Sequence, residues 1–405
     1  MHILLIHQAF TTIGSAGGTR HYEIARYLAK KGHKITVITS PVSYLTGEKE
    51  SAGYNPLDRA ILDEQIHILY CYTSKGMHKG FFPRLFAFFS FMVSSFFKAL
   101  SVPDVDIVWG TSPNLFQGFT AWLSARWKNV AFLFEIRDLW PDFAIELGIL
   151  KNPFLIYFSK KLEKFLYQHA DQLIVNSPGF IQPIQKISGK IPVLIANGSD
   201  PEMFRSSDQG EAFRKQYNLE KSFVVMYCGA HGPANDLDVI LDAAEILQNR
   251  SDIKFVLVGS GKDKNTLMEN AAQRNLKNVI FAPPFSKEKI ANVIAASNAG
   301  LAILKPIPLF KTTYPNKVFD TMAARKPVLV QIDGVIRELV ETYNAGIFVE
   351  PGNPYALAVA VRALADDPER CQKMGMNGYQ AICKDFSREK SAYLIENILK
   401  TMKTR

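Results

Sequence analysis

Glu135-Ile-Arg137-Asp138-Leu-Trp140-Pro141-Asp142 places four charged side chains and a tryptophan directly after the apolar run Ala131–Phe134. In a parallel α/β sheet ligands lie beyond the carboxyl ends of the strands. Glu135, Arg137 and Asp138 are therefore the candidate catalytic residues, facing an acceptor or a reacting centre. An internal ion pair of Arg137 with Glu135 or Asp138 is the plainer alternative. A second cluster runs from Lys305 through Tyr314-Pro315-Asn316-Lys317 to Asp320. Pro315 suits a helix start, so the N–H groups of Asn316, Lys317 and Val318 would face an anion, with Lys317 adding a formal charge. Asp320, one turn on, could take both hydroxyls of a ribose. A third lies in Gly14-Ser-Ala-Gly17-Gly18-Thr-Arg20 after the first apolar run. Gly17 and Gly18 would let a backbone approach phosphate or sugar. A cation at a helix start, Arg20, suits a bound anion.

Elements of a particular kind must hold these residues. The opening reads as a strand (His2–His7), a glycine loop, a helix (about Thr19–Lys31, stopped by Gly32) and a strand (Lys34–Thr39), which is a βαβ unit. Strand-like and helical runs then alternate, with a second starting point at Phe223–Cys228. At 405 residues the chain is too long for one ordinary core. Two doubly wound α/β domains are expected, 1–196 and 197–386, with a last helix, 387–405, packing back on the first.

Residues 80–100, GFFPRLFAFFSFMVSSFFKAL, hold eight of the 28 Phe. As a helix, this segment sets Arg84, Ala87, Ser90, Ser94 and Lys98 on a narrow small-or-polar stripe and gives the rest to Leu, Met and Phe. It is too short between its basic ends to span a bilayer. A core helix and an in-plane membrane anchor through residues 81–100 both fit.

The formal charge of +9 draws anions, yet no basic stripe with interleaved aromatics points to nucleic acid. Cys71, Cys228, Cys371 and Cys383 form no Cys-x-x-Cys pair, which fits a reducing compartment. The N-terminus lacks a basic leader, so a cytoplasmic location is expected. Asp104-Val-Asp106 precedes its strand and Asp236-Leu-Asp238 opens a helix. Neither suits a metal, and metal-free chemistry without a cofactor is expected.

The opening unit with Gly32-His-Lys-Ile-Thr-Val-Ile-Thr39 resembles retaining glycosyltransferases of family 4, which have the GT-B fold. Ile195-Ala-Asn197-Gly198-Ser-Asp200-Pro-Glu-Met-Phe204 is similar to that family's hinge. Val258-Gly259-Ser-Gly261 and Phe319-Asp320 through Ala323 to Lys326-Pro327 match further landmarks. Glu135-x-Arg-Asp-x-Trp-Pro141 looks like the branch of N-acetylfucosaminyl and related surface-polysaccharide transferases. The resemblance implies two Rossmann-like domains facing across a cleft, and sugar transfer with retention from a UDP-sugar, of N-acetylhexosamine type. The acceptor would be a polyprenyl-diphosphate-linked saccharide, and the protein would lie on the inner face of the cytoplasmic membrane. The donor side would comprise Gly17, Gly18, Arg20, Gly229, Asn235, Gly259, Pro284, Lys305, Tyr314, Asn316, Lys317 and Asp320. The family's Glu-x7-Glu pair falls on Thr312 and Asp320, and its phosphate-binding Arg and Lys fall on Ala230 and Asn235. A sugar-nucleotide 2-epimerase and an inactive sugar-nucleotide binder are the other readings of the same residues.

Overall fold

Short runs of Ile, Val, Leu and Phe, each closed by a glycine or polar loop, form the strands. The computed structural model describes residues 1–15, 17–42, 59–62, 65–76, 80–205 and 210–403. Two compact units emerge: Met1–Thr11, Gly18–Ala196 and Glu389–Arg405 make the first, and Thr12–Gly17 with Asn197–Arg388 the second. Residues 12–17 thus leave the expected 1–196 unit. The carbonyls of Ser15 and Ile13 accept from the N–H groups of Lys287 and Glu288 at 3.4 and 3.2 Å. Those N–H groups open the helix Lys287–Ala295 and have no partner within it. The second unit also runs to Arg388 rather than 386.

The first unit holds β1 (His2–Ile6), β2 (Lys34–Thr39), β3 (Arg59–Leu62), β4 (Ile66–Tyr70), β5 (Ile107–Thr111), β6 (Ala131–Ile136), β7 (Gln172–Val175) and β8 (Val193–Leu194). Their order is β3-β4-β2-β1-β5-β6-β7-β8. All pair in parallel except β3, an antiparallel edge strand on β4 that four residues of sequence do not announce. Ile3 lies between Ile35 and Ile107. One face of the sheet packs Leu5, Trp109 and Leu133 against Ile24 and Leu28 of helix Arg20–Lys30 and Ile395 and Leu399 of the C-terminal helix. On the other face lies helix Leu115–Lys128. A Cβ on Gly110 would stand 2.6 Å from Ala121, and one on Gly118 2.9 Å from the Phe134 ring. The two glycines set how closely this helix approaches.

Helix Phe81–Leu100 packs beside that helix through three short side chains and one ring. Ala87, Phe91, Ser95 and Ala99 are buried. Ser94 Oγ donates to the Tyr72 carbonyl at 2.7 Å, and Ser90 Oγ accepts from the Ser74 N–H at 3.0 Å. The packed side thus shares only Ala87 with the expected stripe and adds Phe91, Ser95 and Ala99 beside it, while Arg84, Ser90, Ser94 and Lys98 lie half-buried at its margin. Phe82, Phe86, Phe89, Val93 and Phe97 stand exposed.

The second unit holds β9 (Phe223–Cys228), β10 (Ile253–Val258), β11 (Val279–Ala282), β12 (Ala299–Ile303), β13 (Val328–Gln331) and β14 (Gly346–Phe348), ordered β11-β10-β9-β12-β13-β14. Every pair is parallel. The chain reverses its direction of travel across the sheet between β9 and β12 here, and between β1 and β5 in the first unit. Such switch points leave crevices at the carboxyl ends of the strands.

Candidate functional site

In the second unit the loops after β9 and β12 flank the switch point. The Lys305 N–H donates to the Ala234 carbonyl at 3.0 Å and joins them. Gly229 follows β9, Gly259 follows β10 and Pro284 follows β11, so these expected donor residues share one sheet edge with Lys305. Gly259 sits at φ +146, and a Cβ there would fall 1.9 Å from the Gly229 carbonyl oxygen. Gly259→Ala is expected to lower the stability of this unit by about 1–3 kcal/mol. Hydrogen exchange across β9 and β10 checks it, and unchanged protection there refutes it.

Helix Asn316–Ala323 begins at this edge, with Pro315 at its N-cap and no side chain capping it. The Val318 N–H is taken by the Pro315 carbonyl at 3.1 Å, so the expected set of three outward N–H groups shrinks to those of Asn316 and Lys317. Lys317 Nζ lies 4.0 Å from the centre of the Tyr227 ring. It is 3.0 Å from where a Gly229 Cβ would be, so that glycine makes room for it. Among the described residues no carboxylate pairs with Lys317. Burial lowers its pKa to about 7, with the nearby Cys228 thiol pulling weakly the other way. A half-buried cation without a carboxylate beside it is a site ready for an anion.

Asp320 has a different task from the one expected. Ser199 Oγ donates to its Oδ1 at 2.7 Å, and Lys287 Nζ reaches Oδ2 at 2.7 Å. Asn316 Nδ2 adds a longer bond of 3.3 Å to Oδ2. With Lys287 6% and Asp320 14% exposed, this is a closed structural pair rather than a carboxylate waiting for a ribose. Asn316 Oδ1 accepts from Arg388 at 2.8 Å, and the Tyr314 carbonyl accepts from Asn197 at 2.7 Å. Asn235 bonds back to the Gly232 carbonyl through its N–H at 2.9 Å. His231, which no motif in the sequence marks, is fully buried with neither ring nitrogen partnered. Burial, then Lys264 and Lys317, lower its pKa to about 4, so it is neutral.

In the first unit the charged cluster divides. Glu135 is fully buried, with Arg20 Nε at 2.9 Å and His21 Nε2 at 2.7 Å. Arg20 also donates to the Ala196 and Ile195 carbonyls at 2.9 and 2.7 Å. Arg20 therefore does not stand at a donor phosphate, and Glu135 does not stand at a reacting centre. Together they form an internal brace, the plainer alternative with Arg20 in place of Arg137. Burial lowers the His21 pKa against the pull of Glu135.

Arg137 and Asp138 remain at the edge, each half-buried. The Arg137 N–H donates to Ser112 Oγ at 2.8 Å, and its guanidinium reaches His7 Nε2 at 2.9 Å. His7 must accept that bond. Burial, then His21 and Arg137, hold its pKa well below the ordinary value. Burial pushes the Asp138 carboxyl up to about 6 against the pull of Arg137. His7 is itself buried and serves to hold Arg137, so Arg137 and Asp138 are the groups at the carboxyl end of β6 that could bond a hydroxylic substrate. His7 went unremarked in the sequence, although its place directly after the first strand was a signal. Gly17 and Gly18 are exposed on the loop after β1, Gly17 at φ +148.

Two family models match the chain in tandem: glycosyltransferase family 4 over residues 17–203 and glycosyl transferases group 1 over 208–381. WcaI of Escherichia coli, a glycosyl transferase assigned to colanic acid biosynthesis, is 24% identical over 84% of this chain and 86% of its own length. The chain spans about half the length of other curated glycosyltransferases it matches. Sucrose-phosphate synthase from Thermosynechococcus elongatus superposes with a TM-score of 0.78 at 18% identity, covering 99% of this chain and 98% of that one. Anabaena HepE in complex with UDP-glucose gives 0.72 at 16% identity, covering 99% and 100%. Paired parallel sheets, ligand-side loops at both switch points and the tandem family match lead to one conclusion: the chain is a GT-B glycosyltransferase belonging to glycosyltransferase family 4.

Proposed function

We propose that the protein transfers a sugar of N-acetylhexosamine type, with retention, from a UDP-sugar to a polyprenyl-diphosphate-linked saccharide in surface-polysaccharide assembly. The observation that carries the reading is Lys317, an ammonium without a counter-ion at an uncapped helix start on the β9–β12 switch point. A diphosphate would supply the missing charge, and stabilising it as it leaves is the main electrostatic task of such a reaction. The names of two relatives support the polysaccharide role and the UDP-sugar: WcaI, assigned to colanic acid biosynthesis, and HepE, in complex with UDP-glucose. Arg137 and Asp138 would meet the acceptor side, with His7 holding Arg137 in place. The lipid-linked acceptor would hold the protein to the inner face of the cytoplasmic membrane through residues 81–100.

Supplied with a panel of UDP-sugars, the protein should release UDP only when a polyprenyl-diphosphate saccharide is added. Free epimerised sugar nucleotide without acceptor would instead mark a 2-epimerase, and tight binding with no turnover an inactive binder.

We also propose that no metal ion takes part. Asp106 accepts from the His2 N–H at 2.7 Å and pairs with Lys403 at 2.9 Å, so it is committed to the fold. Turnover should persist in excess EDTA. Loss on chelation with rescue by Mg²⁺ or Mn²⁺ would refute metal independence.

A further inference from the structure

Three helices of the first unit, Phe81–Leu100, Leu115–Lys128 and Pro153–His169, form one layer on the sheet. Thr120 Oγ1 donates to the Met92 carbonyl at 3.1 Å, and Lys128 Nζ to the Val102 carbonyl at 2.6 Å. On the other side of the middle helix, Trp122 meets the Phe165 ring at 4.7 Å. Beneath them the sheet is already sealed by Phe91, Ala121, Phe134 and Leu166, all fully buried. The core has no use for the apolar groups outside.

Those outer groups are large. Phe82 and Phe97 are 76 and 66% exposed on the first helix, Trp127 is 71% exposed on the second, and Phe154 is 66% exposed on the third. Tyr157 and Phe158 extend the last patch, their rings 5.7 Å apart. The charge on the layer has a single outward sign. The first two helices contain no Asp or Glu, and Glu163, the one carboxylate of the third, is buried. Arg126, Lys161 and Lys164 are exposed, and Lys161 lies over the Tyr157 ring at 5.4 Å. Exposed rings beside unopposed cations are the composition of a lipid interface rather than of a protein contact.

We infer that this three-helix layer, not the helix Phe81–Leu100 alone, docks on an anionic lipid bilayer. The inference deepens the membrane side of the function proposed above and rests on it. In a parallel sheet the connecting helices run against the strands, so their first turns gather at the carboxyl edge. Phe82 and Phe154 therefore lie at the end of the layer that holds Arg137 and Asp138, which sets the acceptor-side residues next to the lipid surface.

The full chain is to be sedimented with phosphatidylcholine vesicles, with and without phosphatidylglycerol. The parent protein should bind only the anionic vesicles, and added salt should weaken binding. Two triple variants, Phe82→Ser/Phe86→Ser/Phe97→Ser and Phe154→Ser/Tyr157→Ser/Phe158→Ser, should each bind at least about fivefold more weakly. UDP affinity and tryptophan fluorescence should stay unchanged. Lys161→Gln/Lys164→Gln should cost about fivefold for each lysine, and these exposed sites decide the matter if a triple variant misfolds. Parent-like binding by both the Phe154 and the lysine variants, with release of the Phe82 variant, overturns the three-helix surface and leaves the single-helix reading standing. No sedimentation of the parent overturns both. A parent dimer that the Phe154 variant splits, seen by light scattering, makes the face a contact between copies and overturns the lipid assignment.

Discussion

Glu135→Ala is expected to destabilise the first unit by about 3–5 kcal/mol, the usual cost of removing one partner from a buried ion pair. The carboxylate is fully buried and receives Arg20 and His21 at 2.9 and 2.7 Å. Without it, the buried Arg20 guanidinium would lose this carboxylate, while its bonds to the Ile195 and Ala196 carbonyls bring no compensating charge. All four tryptophans, Trp109, Trp122, Trp127 and Trp140, lie in this unit, so their fluorescence during urea unfolding reports its stability alone. A midpoint within experimental error of the parent's would mean that the brace contributes nothing. The pH dependence has a definite sign. Burial opposes the Glu135 charge, but His21 and Arg20 outweigh it and hold the carboxyl far below the usual range. A folded-state pKa below the unfolded one stabilises fully above the unfolded value, about 4.3. That contribution fades as pH falls further, and Glu135→Ala should lack that part of the parent's acid sensitivity.

Lys317→Ala should weaken UDP binding by about 10- to 150-fold, which corresponds to the roughly 1.5–3 kcal/mol of a hydrogen bond to a charged group. Isothermal calorimetry measures it, and unchanged affinity would remove Lys317 from the donor site. Because burial holds the Lys317 pKa near 7, the free side chain is mostly neutral at pH 8, and binding a diphosphate should recharge it. The binding enthalpy at pH 8 should therefore vary with the ionisation heat of the buffer, showing uptake of nearly one proton, and Lys317→Ala should abolish that dependence. Stability without ligand should move the other way. A lysine whose folded pKa lies below its unfolded value of about 10.4 binds fewer protons when folded, so stability rises with pH across that window. Removing this side chain should leave the ligand-free protein at least as stable as the parent.

Alternation of short Ile- and Val-rich runs with amphipathic helices determined the parallel strands of both sheets from the sequence alone, though not the antiparallel edge strand β3. Burial on both faces of a parallel sheet leaves a pattern that single residues carry. The sequence also located the ligand-side loops, since whatever follows a strand must lie at its carboxyl edge. Lys305 and Lys317 were legible in this way, and Gly229 and Gly259 through the family resemblance. Partner choice within those loops was not. Arg20 and Glu135 are 115 residues apart, and no spacing rule announces that they meet. Asp320 has the right helical position for a ligand, yet Lys287 and Ser199 arrive from distant segments and occupy it. The phenylalanine-rich helix shows the same division. Its composition stated that one face would be aromatic, but only the packing of Ala87, Phe91, Ser95 and Ala99 against neighbouring elements decided which face turns outward. Periodicity records what each element offers. Long-range contacts decide which charges and rings are used up in folding and which remain free for substrate.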